Sequence, residues 1–127
     1  MNVCLVHPPQ RVSSTNYVST VVIPPLGLAY VAAALERAGH AVTVVDALAG
    51  AVDHGYQDHG CTLRGMEPGA IVAAVPAGSQ VIGVGCMFSC QWPSTRRIVG
   101  DIRARFPGAV LVMGGEHPTA LPELTLE

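Results

Sequence analysis

The stretch PPLGLAYVAAALERAGHAVTVVD, residues 24–46, decides the fold of this chain. Four of its apolar side chains recur at the i, i+3, i+4, i+7 spacing of one helix face: Leu28, Val31, Ala32 and Leu35. Prolines precede this helix and Gly39 follows it, and these are common start and stop signals. The run Ala41–Asp46 is mostly β-branched and predicts a buried strand. The stretch therefore predicts a helix, a tight glycine turn and a strand.

The same alternation extends in both directions from this stretch. An apolar strand is predicted over 2–7, where Pro8 and Pro9 stop it, and further buried strands over 80–88 and 109–113. A short helix is predicted from 67 or 68 to about 75, and a longer one over 93–105 with Ser94 as a candidate cap. Strands that alternate with helices predict an α/β domain, in which a parallel sheet is covered by helices on both faces.

Two segments lack clear apolar periodicity and are predicted as loops. They are residues 10–20 and most of 47–69, the second of which is rich in Gly, Asp and His. The tail from 116 to 127 contains prolines and is predicted to hold at most a short helical turn.

Composition excludes several classes of protein. The 127 residues suffice for one domain, 50% of them are hydrophobic and 13% are charged, and the formal net charge is -2. Such a chain has no basic face for nucleic acid or for a membrane surface. No apolar run approaches the roughly 20 residues that cross a bilayer, and no signal peptide precedes the first strand, so we expect a cytoplasmic protein. We expect the four cysteines to be free thiols.

Unusual residues follow the strands at the edge where parallel α/β sheets bind ligands. Gly114 and Gly115 allow a sharp turn and the close approach of a large ligand, although a plain turn is the alternative. Met87 and Phe88 place apolar side chains at the end of the third strand of the sheet, where the alternative is a role in the core. His7 is a candidate as well, and a loop hydrogen bond is the more common role for such a histidine.

Other chemistries find little support in the sequence. A GxGxxG turn and a GxxxxGK[ST] loop are both missing, which argues against dinucleotide and phosphate-loop sites. Cys86 and Cys90 form a CxxxC pattern, which is not a zinc signature. An acid–base pair of Asp46 and His117 stays open as the basis of a small enzyme, because both follow strands.

Three stretches together resemble the amino-terminal cobalamin-binding domain of cobalamin-dependent radical-SAM proteins of the methyltransferase type. They are PPLGLAY at 24–30 with AGH at 38–40, VIGVGCMF at 81–88, and GGEHPT at 114–119, in the order and approximate spacing of that family. The resemblance spans nearly the whole chain and implies a flavodoxin-like (Rossmann-like) fold that holds cobalamin at the carboxyl edge of the sheet.

The resemblance also implies which residues contact cobalamin. Related cobalamin domains carry DxHxxG after the first strand, and its His binds cobalt. This chain has Val6-His7-Pro8-Pro9-Gln10 there, so we expect base-off cobalamin without a protein histidine on cobalt. The lower face of the corrin is expected against 86–92 and the nucleotide tail against 114–119. The full set of implied cofactor-binding residues is His7, Pro8, Pro9, Leu26, Gly27, Cys86, Met87, Phe88, Ser89, Trp92, Gly114, Gly115, Glu116, His117, Pro118 and Thr119.

Two features of the family are missing from residues 1–127. The radical-SAM domain, whose CxxxCxxC loop holds an iron–sulfur cluster that binds S-adenosylmethionine, has no counterpart. The last strand of the sheet is also missing, so we expect a truncated domain with an open edge that invites a homodimer or a radical-SAM partner. The function expected is a cobalamin-binding module for methyl transfer or ring rearrangement by another domain, and we expect no catalysis by this chain alone. The alternative is a flavodoxin-like regulatory or interaction domain without cofactor.

Overall fold

The computed structural model describes residues 1–13 and 21–127. The strands are β1 Asn2–His7, β2 Gln10–Val12, β3 Ala41–Asp46, β4 Gly55–Asp58, β5 Cys61–Arg64, β6 Val81–Gly85 and β7 Val110–Gly114. The helices are α1 Leu26–Arg37, α2 Pro68–Ala74, α3 Trp92–Arg105, α4 Glu116–Ala120 and α5 Pro122–Leu126, and short 3-10 turns lie at Ala49–Ala51 and Ser89–Gln91.

The main sheet has four parallel strands in the order β3-β1-β6-β7. The chain moves outward from β1 to β3, and then returns past β1 to β6 and β7. Because parallel crossovers are right-handed, this reversal places α1 on one face of the sheet and α2 and α3 on the other. The sequence prediction of a flavodoxin-like parallel α/β fold is confirmed, and the strand order reverses at the boundary between β1 and β6.

The core lies between the sheet and the pair α2 and α3. Alternate strand residues point to this side because side chains alternate along a strand. The sheet contributes Cys4, Val6, Val45, Ile82 and Val84, and the helical side contributes Ile71, Val72, Val75, Ile98, Ile102 and Phe106. The predicted spacing of Ile98, Ile102 and Phe106 along α3 is therefore a buried stripe.

The face that carries α1 is only partly covered. Helix α1 packs over β3 and β1, and none of its residues, all of them described, is buried. Tyr30 is 78% exposed, and on β7 Val110 and Val112 are 59% and 49% exposed. Register places these two valines beside Val81 and Gly83 of β6. The half of this face formed by β6 and β7 therefore presents apolar side chains to solvent.

The loop predictions for 10–20 and 47–69 were wrong in part. β2, β5 and β4 form a second, antiparallel sheet. The β4–β5 hairpin turns at His59 and Gly60, whose φ angles of 49° and 72° are both positive, as a two-residue type I′ turn requires. These strands are only three or four residues long, too short to show a period. Residues 14–20 of the predicted loop lie outside the described residues.

Two smaller expectations also change. Helix α3 begins at Trp92, with Gln91 as its N-cap and Pro93 in the first turn, so Ser94 lies inside the helix and is not its cap. The tail forms two short helices, α4 and α5, rather than a single turn. No helix in the described ranges is long and apolar enough to cross a membrane.

Candidate functional site

The candidate site lies at the carboxyl edge of the main sheet, where β1 and β6 diverge to opposite crossovers. Ligands of open α/β sheets bind in the crevice that this divergence creates. The chain leaves β1 through Pro8 and Pro9, and leaves β6 through Cys86 and Met87. An alanine Cβ at Gly85 would lie 3.9 Å from the Pro8 ring, so the two strand ends are in contact.

The segments after β6 and β7 are joined by main-chain contacts. Cys86 N–H donates to the Gly114 carbonyl over 2.8 Å, and His117 N–H donates to the Cys86 carbonyl over 3.2 Å. Gly115 has a φ of 110°, and a Cβ there would lie 2.5 Å from the Cys86 carbonyl oxygen. Glycine is required at position 115 because both the φ angle and the approach to Cys86 exclude a side chain.

His117 is buried beneath this junction. Its ring is 2% exposed, and its Nδ1 lies 2.9 Å from Ser89 Oγ. The ring packs against Trp92, with centroids 4.9 Å apart. Its Nε2 is buried without a hydrogen-bond partner among the described residues. His117 therefore links helix α4 to the turn that follows β6.

Apolar side chains stand exposed above the junction. Met87 is 52% exposed and Phe88 is 61% exposed. Leu26, at the start of α1, is 65% exposed, and a helix that connects parallel strands begins at this same edge of the sheet. Positions 27 and 114 carry no side chain, and a Cβ at either would meet nothing within 4 Å. The carboxyl edge thus combines exposed apolar side chains with main chain that a ligand can approach closely.

His7 ends β1 directly opposite Asp46, the last residue of β3. Its Nδ1 lies 2.9 Å from Asp46 Oδ1, and the same oxygen accepts the N–H groups of Leu48 and Ala49, each over 3.1 Å. The carboxylate therefore organises the turn after β3 and fixes the His7 ring. This hydrogen bond is the role that the sequence favoured for His7.

The acid–base pair of Asp46 and His117, which the sequence left open, is contradicted by the hydrogen bonds of the two side chains. Asp46 bonds to His7, and the only side-chain hydrogen bond of His117 within the described residues goes to Ser89. Each residue is thus tied to a different partner on its own side of the edge.

The thiols near the site are not linked in disulfides. All four cysteines are free. Burial raises the pKa of Cys86, as does its neighbour Cys90, while a hydrogen bond with Thr95 acts in the opposite direction. No group of three or more His, Cys, Asp or Glu side chains suitable for a metal ion occurs among residues 1–13 and 21–127.

The other predicted site residues divide between supporting and exposed positions. Pro9 and Trp92 are buried and Pro118 is half-buried, whereas Ser89, Glu116 and Thr119 are exposed. Thr119 Oγ1 donates to the Gly115 carbonyl over 2.8 Å, which closes the first turn of α4.

Sequence reasoning missed the anchor of the second sheet. Asp58 is buried and lies 3.0 Å from Arg97 of α3 and 3.1 Å from His59. Burial alone raises the pKa of the Asp58 carboxyl, but hydrogen bonds from Ser94, His59 and Arg97 outweigh burial and hold it below its usual value. The His59-Gly60 dipeptide between short polar strands was the available signal for the hairpin.

Exposed apolar side chains and open backbone at the carboxyl edge, where the strand order reverses, are typical of ligand-binding α/β domains. The family model described as the B12 binding domain matches residues 16–127. The chain belongs to this family, which confirms the cobalamin-binding resemblance found in the sequence.

Two curated relatives are methyltransferases. The cytidylyl-2-hydroxyethylphosphonate methyltransferase of Streptomyces wedmorensis is 31% identical over 111 residues, which cover 81% of this chain and 20% of that protein. An uncharacterized methyltransferase of Pyrococcus horikoshii is 30% identical over 128 aligned positions, which cover 99% of this chain and 24% of that protein. This chain therefore spans about a fifth to a quarter of the length of these relatives. No solved structure gave a significant match.

The edge residues fit a corrin. A large planar ligand needs apolar contact area and backbone that it can approach closely, with few charges. Met87 and Phe88 offer exposed apolar side chains, and the open space at Gly114 leaves room beside them.

Proposed function

We propose that this chain binds base-off cobalamin at the carboxyl edge of its main sheet and presents it to a catalytic domain for methyl transfer or ring rearrangement. The observation that carries the proposal is the exposure of Met87 and Phe88 beside the open backbone at Gly114. Cobalamin, when bound, supplies a cobalt centre that carries the transferred group. The chain's own residues bind the corrin, orient it and exclude water from its lower face.

The ligand-free state is supported by the burial of the His117 ring beneath the junction. At His7, Asp46 engages Nδ1 and does not occupy Nε2, and metal-ligating histidines commonly pair their other ring nitrogen with a carboxylate. His7 is half-buried at the edge, so it is the residue on which to test this part of the proposal.

The catalytic partner is proposed to be a radical-SAM domain that holds an iron–sulfur cluster and S-adenosylmethionine. The methyltransferase names of both relatives and their greater length support a further catalytic domain, and its radical-SAM type is proposed from the motif resemblance alone. The apolar half-face of β6 and β7 is the proposed contact surface. Two neighbouring strands span about 10 Å, which is the diameter of one helix. A homodimer through the open β7 edge is the alternative arrangement, and a monomer at high concentration would contradict it.

The first experiment is a titration of the purified chain with hydroxocobalamin, followed by the visible spectrum and by equilibrium dialysis. We expect saturable binding with a base-off spectrum. Absence of binding favours the second candidate, a flavodoxin-like regulatory domain without cofactor, since the partly buried His117–Ser89 hydrogen bond could serve only to stabilise the fold.

A matched pair of variants locates the site. Met87→Ser removes exposed apolar area at the carboxyl edge, and Val110→Ser removes a similar area at the other end of the sheet, since the two side chains are 52% and 59% exposed. We expect Met87→Ser to weaken cobalamin binding about tenfold, equivalent to about 1.4 kcal/mol, and Val110→Ser to leave it unchanged. Equal effects would place cobalamin elsewhere.

Electron paramagnetic resonance of the reduced Co(II) complex tests the coordination. We expect no nitrogen superhyperfine splitting in the wild-type complex. Splitting that disappears in His7→Gln would identify His7 as a cobalt ligand and overturn the ligand-free proposal.

A further inference from the structure

A single buried side chain ties together the two segments of the candidate site. Helix α4 contributes His117, which is 2% exposed, and its ring reaches Ser89 Oγ over 2.9 Å. Ser89 directly follows the exposed Met87 and Phe88 in the chain. The conformation that exposes Met87 and Phe88 therefore depends on a contact between Ser89 and the buried His117 ring.

The contact has four components that act on the same turn. Besides Ser89, the His117 ring meets Trp92 at a centroid distance of 4.9 Å. The main chain adds His117 N–H to the Cys86 carbonyl and Cys86 N–H to the Gly114 carbonyl. Residues 86, 89 and 92 are thus each fixed by the segment 114–117, at both ends and in the middle of the turn.

The ring does not satisfy its own hydrogen-bonding capacity in this position. Its Nε2 is buried with no partner among the described residues, and leaving a buried polar group unsatisfied lowers stability. A histidine whose only role is to fill the core gains by pairing both nitrogens. The position of His117 instead provides a hydrogen-bond partner for Ser89 in the turn after β6.

We propose that His117 is a positioning residue for cobalamin binding, which acts through Ser89 and Trp92 and does not touch the corrin. It holds the turn at 86–92 in the conformation that turns Met87 and Phe88 outward. This proposal rests on the proposed function and deepens it, because it assigns preorganisation of the corrin platform to one residue beneath it. Preorganised loops bind more tightly because less conformational entropy is lost on binding.

The fluorescence of Trp92 reports directly on the packing of the turn, since Trp92 is the only tryptophan in the chain and is 8% exposed. Acrylamide quenching of its fluorescence in the cobalamin-free chain measures how well the turn is held. In Ser89→Ala and His117→Asn, we expect the quenching constant to rise at least twofold and cobalamin affinity to fall about five- to tenfold. His117→Asn keeps a polar atom near the Nδ1 position, so it should retain more affinity than His117→Ala.

Ser79→Ala is the matched control. Its hydroxyl also donates one hydrogen bond, to the Pro76 carbonyl over 2.8 Å, at the opposite end of β6. We expect wild-type quenching and wild-type affinity from this variant. Should His117→Ala fail to fold, Ser89→Ala still decides the outcome, because it removes a hydroxyl from an exposed residue.

The outcomes separate this proposal from the proposed function. Unchanged quenching in folded Ser89→Ala overturns the positioning role, whether affinity is kept or lost. A loss of affinity without a change in quenching shows that Ser89 contacts cobalamin itself. Failure of the wild-type chain to bind cobalamin overturns the proposed function, while the quenching data still decide whether His117 holds the turn.

Discussion

Adjacent glycines at the end of β7 have different physical roles. Gly115 has a φ of 110° and packs its Cα against the Cys86 carbonyl, where a Cβ would lie 2.5 Å away from the oxygen. Gly114 faces open space, since a Cβ there would meet nothing within 4 Å. One glycine is therefore required by the fold, and the other leaves room for a ligand.

We predict opposite outcomes for the two alanine substitutions. Gly115→Ala should lower the free energy of unfolding by about 2–4 kcal/mol, because it adds a positive φ penalty to a backbone clash. Gly114→Ala should change stability by less than about 0.5 kcal/mol and weaken cobalamin binding. Urea unfolding and hydroxocobalamin titration measure the two effects. Tight binding by a stable Gly114→Ala variant would show that cobalamin does not approach position 114.

Asp58 links the second sheet to α3, and its carboxylate makes stability depend on pH. Its pKa is lowered in the folded chain from an ordinary value of 3.8. A group with a depressed folded pKa stabilises the fold above its unfolded pKa, and the contribution is lost as the pH falls through the folded value. The ion pair with Arg97 is thus fully effective at neutral pH.

Asp58→Asn should reduce the free energy of unfolding at neutral pH by about 1–2 kcal/mol. The difference from wild type should shrink as the pH falls below about 4, where the wild-type carboxylate itself becomes protonated. Urea unfolding over this pH range provides the measurement, with Asp101→Asn as an exposed control on α3. A difference that stays constant down to about pH 3 would show that charge is not its cause.

Among the elements, the β4–β5 hairpin was not revealed by sequence periodicity. Its turn depends on positive φ angles at His59 and Gly60, and its anchor is the Asp58–Arg97 pair. Helix α3, in contrast, carries an exposed glycine at position 100, where glycine lowers helix stability. The same substitution should therefore act in opposite directions at these two places.

Gly60→Ala should destabilise the chain by about 1 kcal/mol, because its φ of 72° strains alanine. Gly100→Ala should stabilise the chain by about 0.5–1 kcal/mol, the helix propensity difference between the two residues. Neither Cβ meets an atom within 4 Å, so packing does not contribute to the expected change in stability at either position. Thermal and urea unfolding measure both effects, and equal signs would contradict the turn geometry.

At the scale of the whole molecule, helices cover one face of the main sheet more fully than the other. Helices α2 and α3 cover one face, whereas Val110 and Val112 remain 59% and 49% exposed on the other. Tyr30 and Val31 of α1, which packs over β3 and β1, are also 78% and 49% exposed. Apolar patches of this kind mark interaction sites.

Val112→Lys should therefore reduce association of the chain without loss of stability. A lysine at an exposed strand position is accommodated by solvent, so we expect the free energy of unfolding to change by less than about 0.5 kcal/mol. Analytical ultracentrifugation over a range of concentrations, and binding to a supplied catalytic domain, measure association. The control is Arg96→Lys, at an exposed position of α3. Unaltered association in Val112→Lys would exclude this face as the contact surface.

Sequence alone predicted the elements that are long enough to show an apolar period or a continuous apolar run. The apolar periods of α1 and α3 and the apolar runs of β1, β3, β6 and β7 recur at short spacing, so each element is visible in its own residues. The location of the candidate site also followed, because parallel strands place their carboxyl ends at one edge. The second sheet did not follow, because strands of three or four residues are too short to show a period.

Tertiary structure decided which partners the functional residues have. The sequence placed Asp46 and His117 after strands and left an acid–base pair open, but folding joined Asp46 to His7 and His117 to Ser89. The sequence determined the α/β class, the cobalamin-binding resemblance and the edge where a ligand is proposed to bind, because these depend on local apolar patterns and short motifs. Side-chain partners depend on the order in which strands lie side by side, and that order is set by packing of the whole sheet.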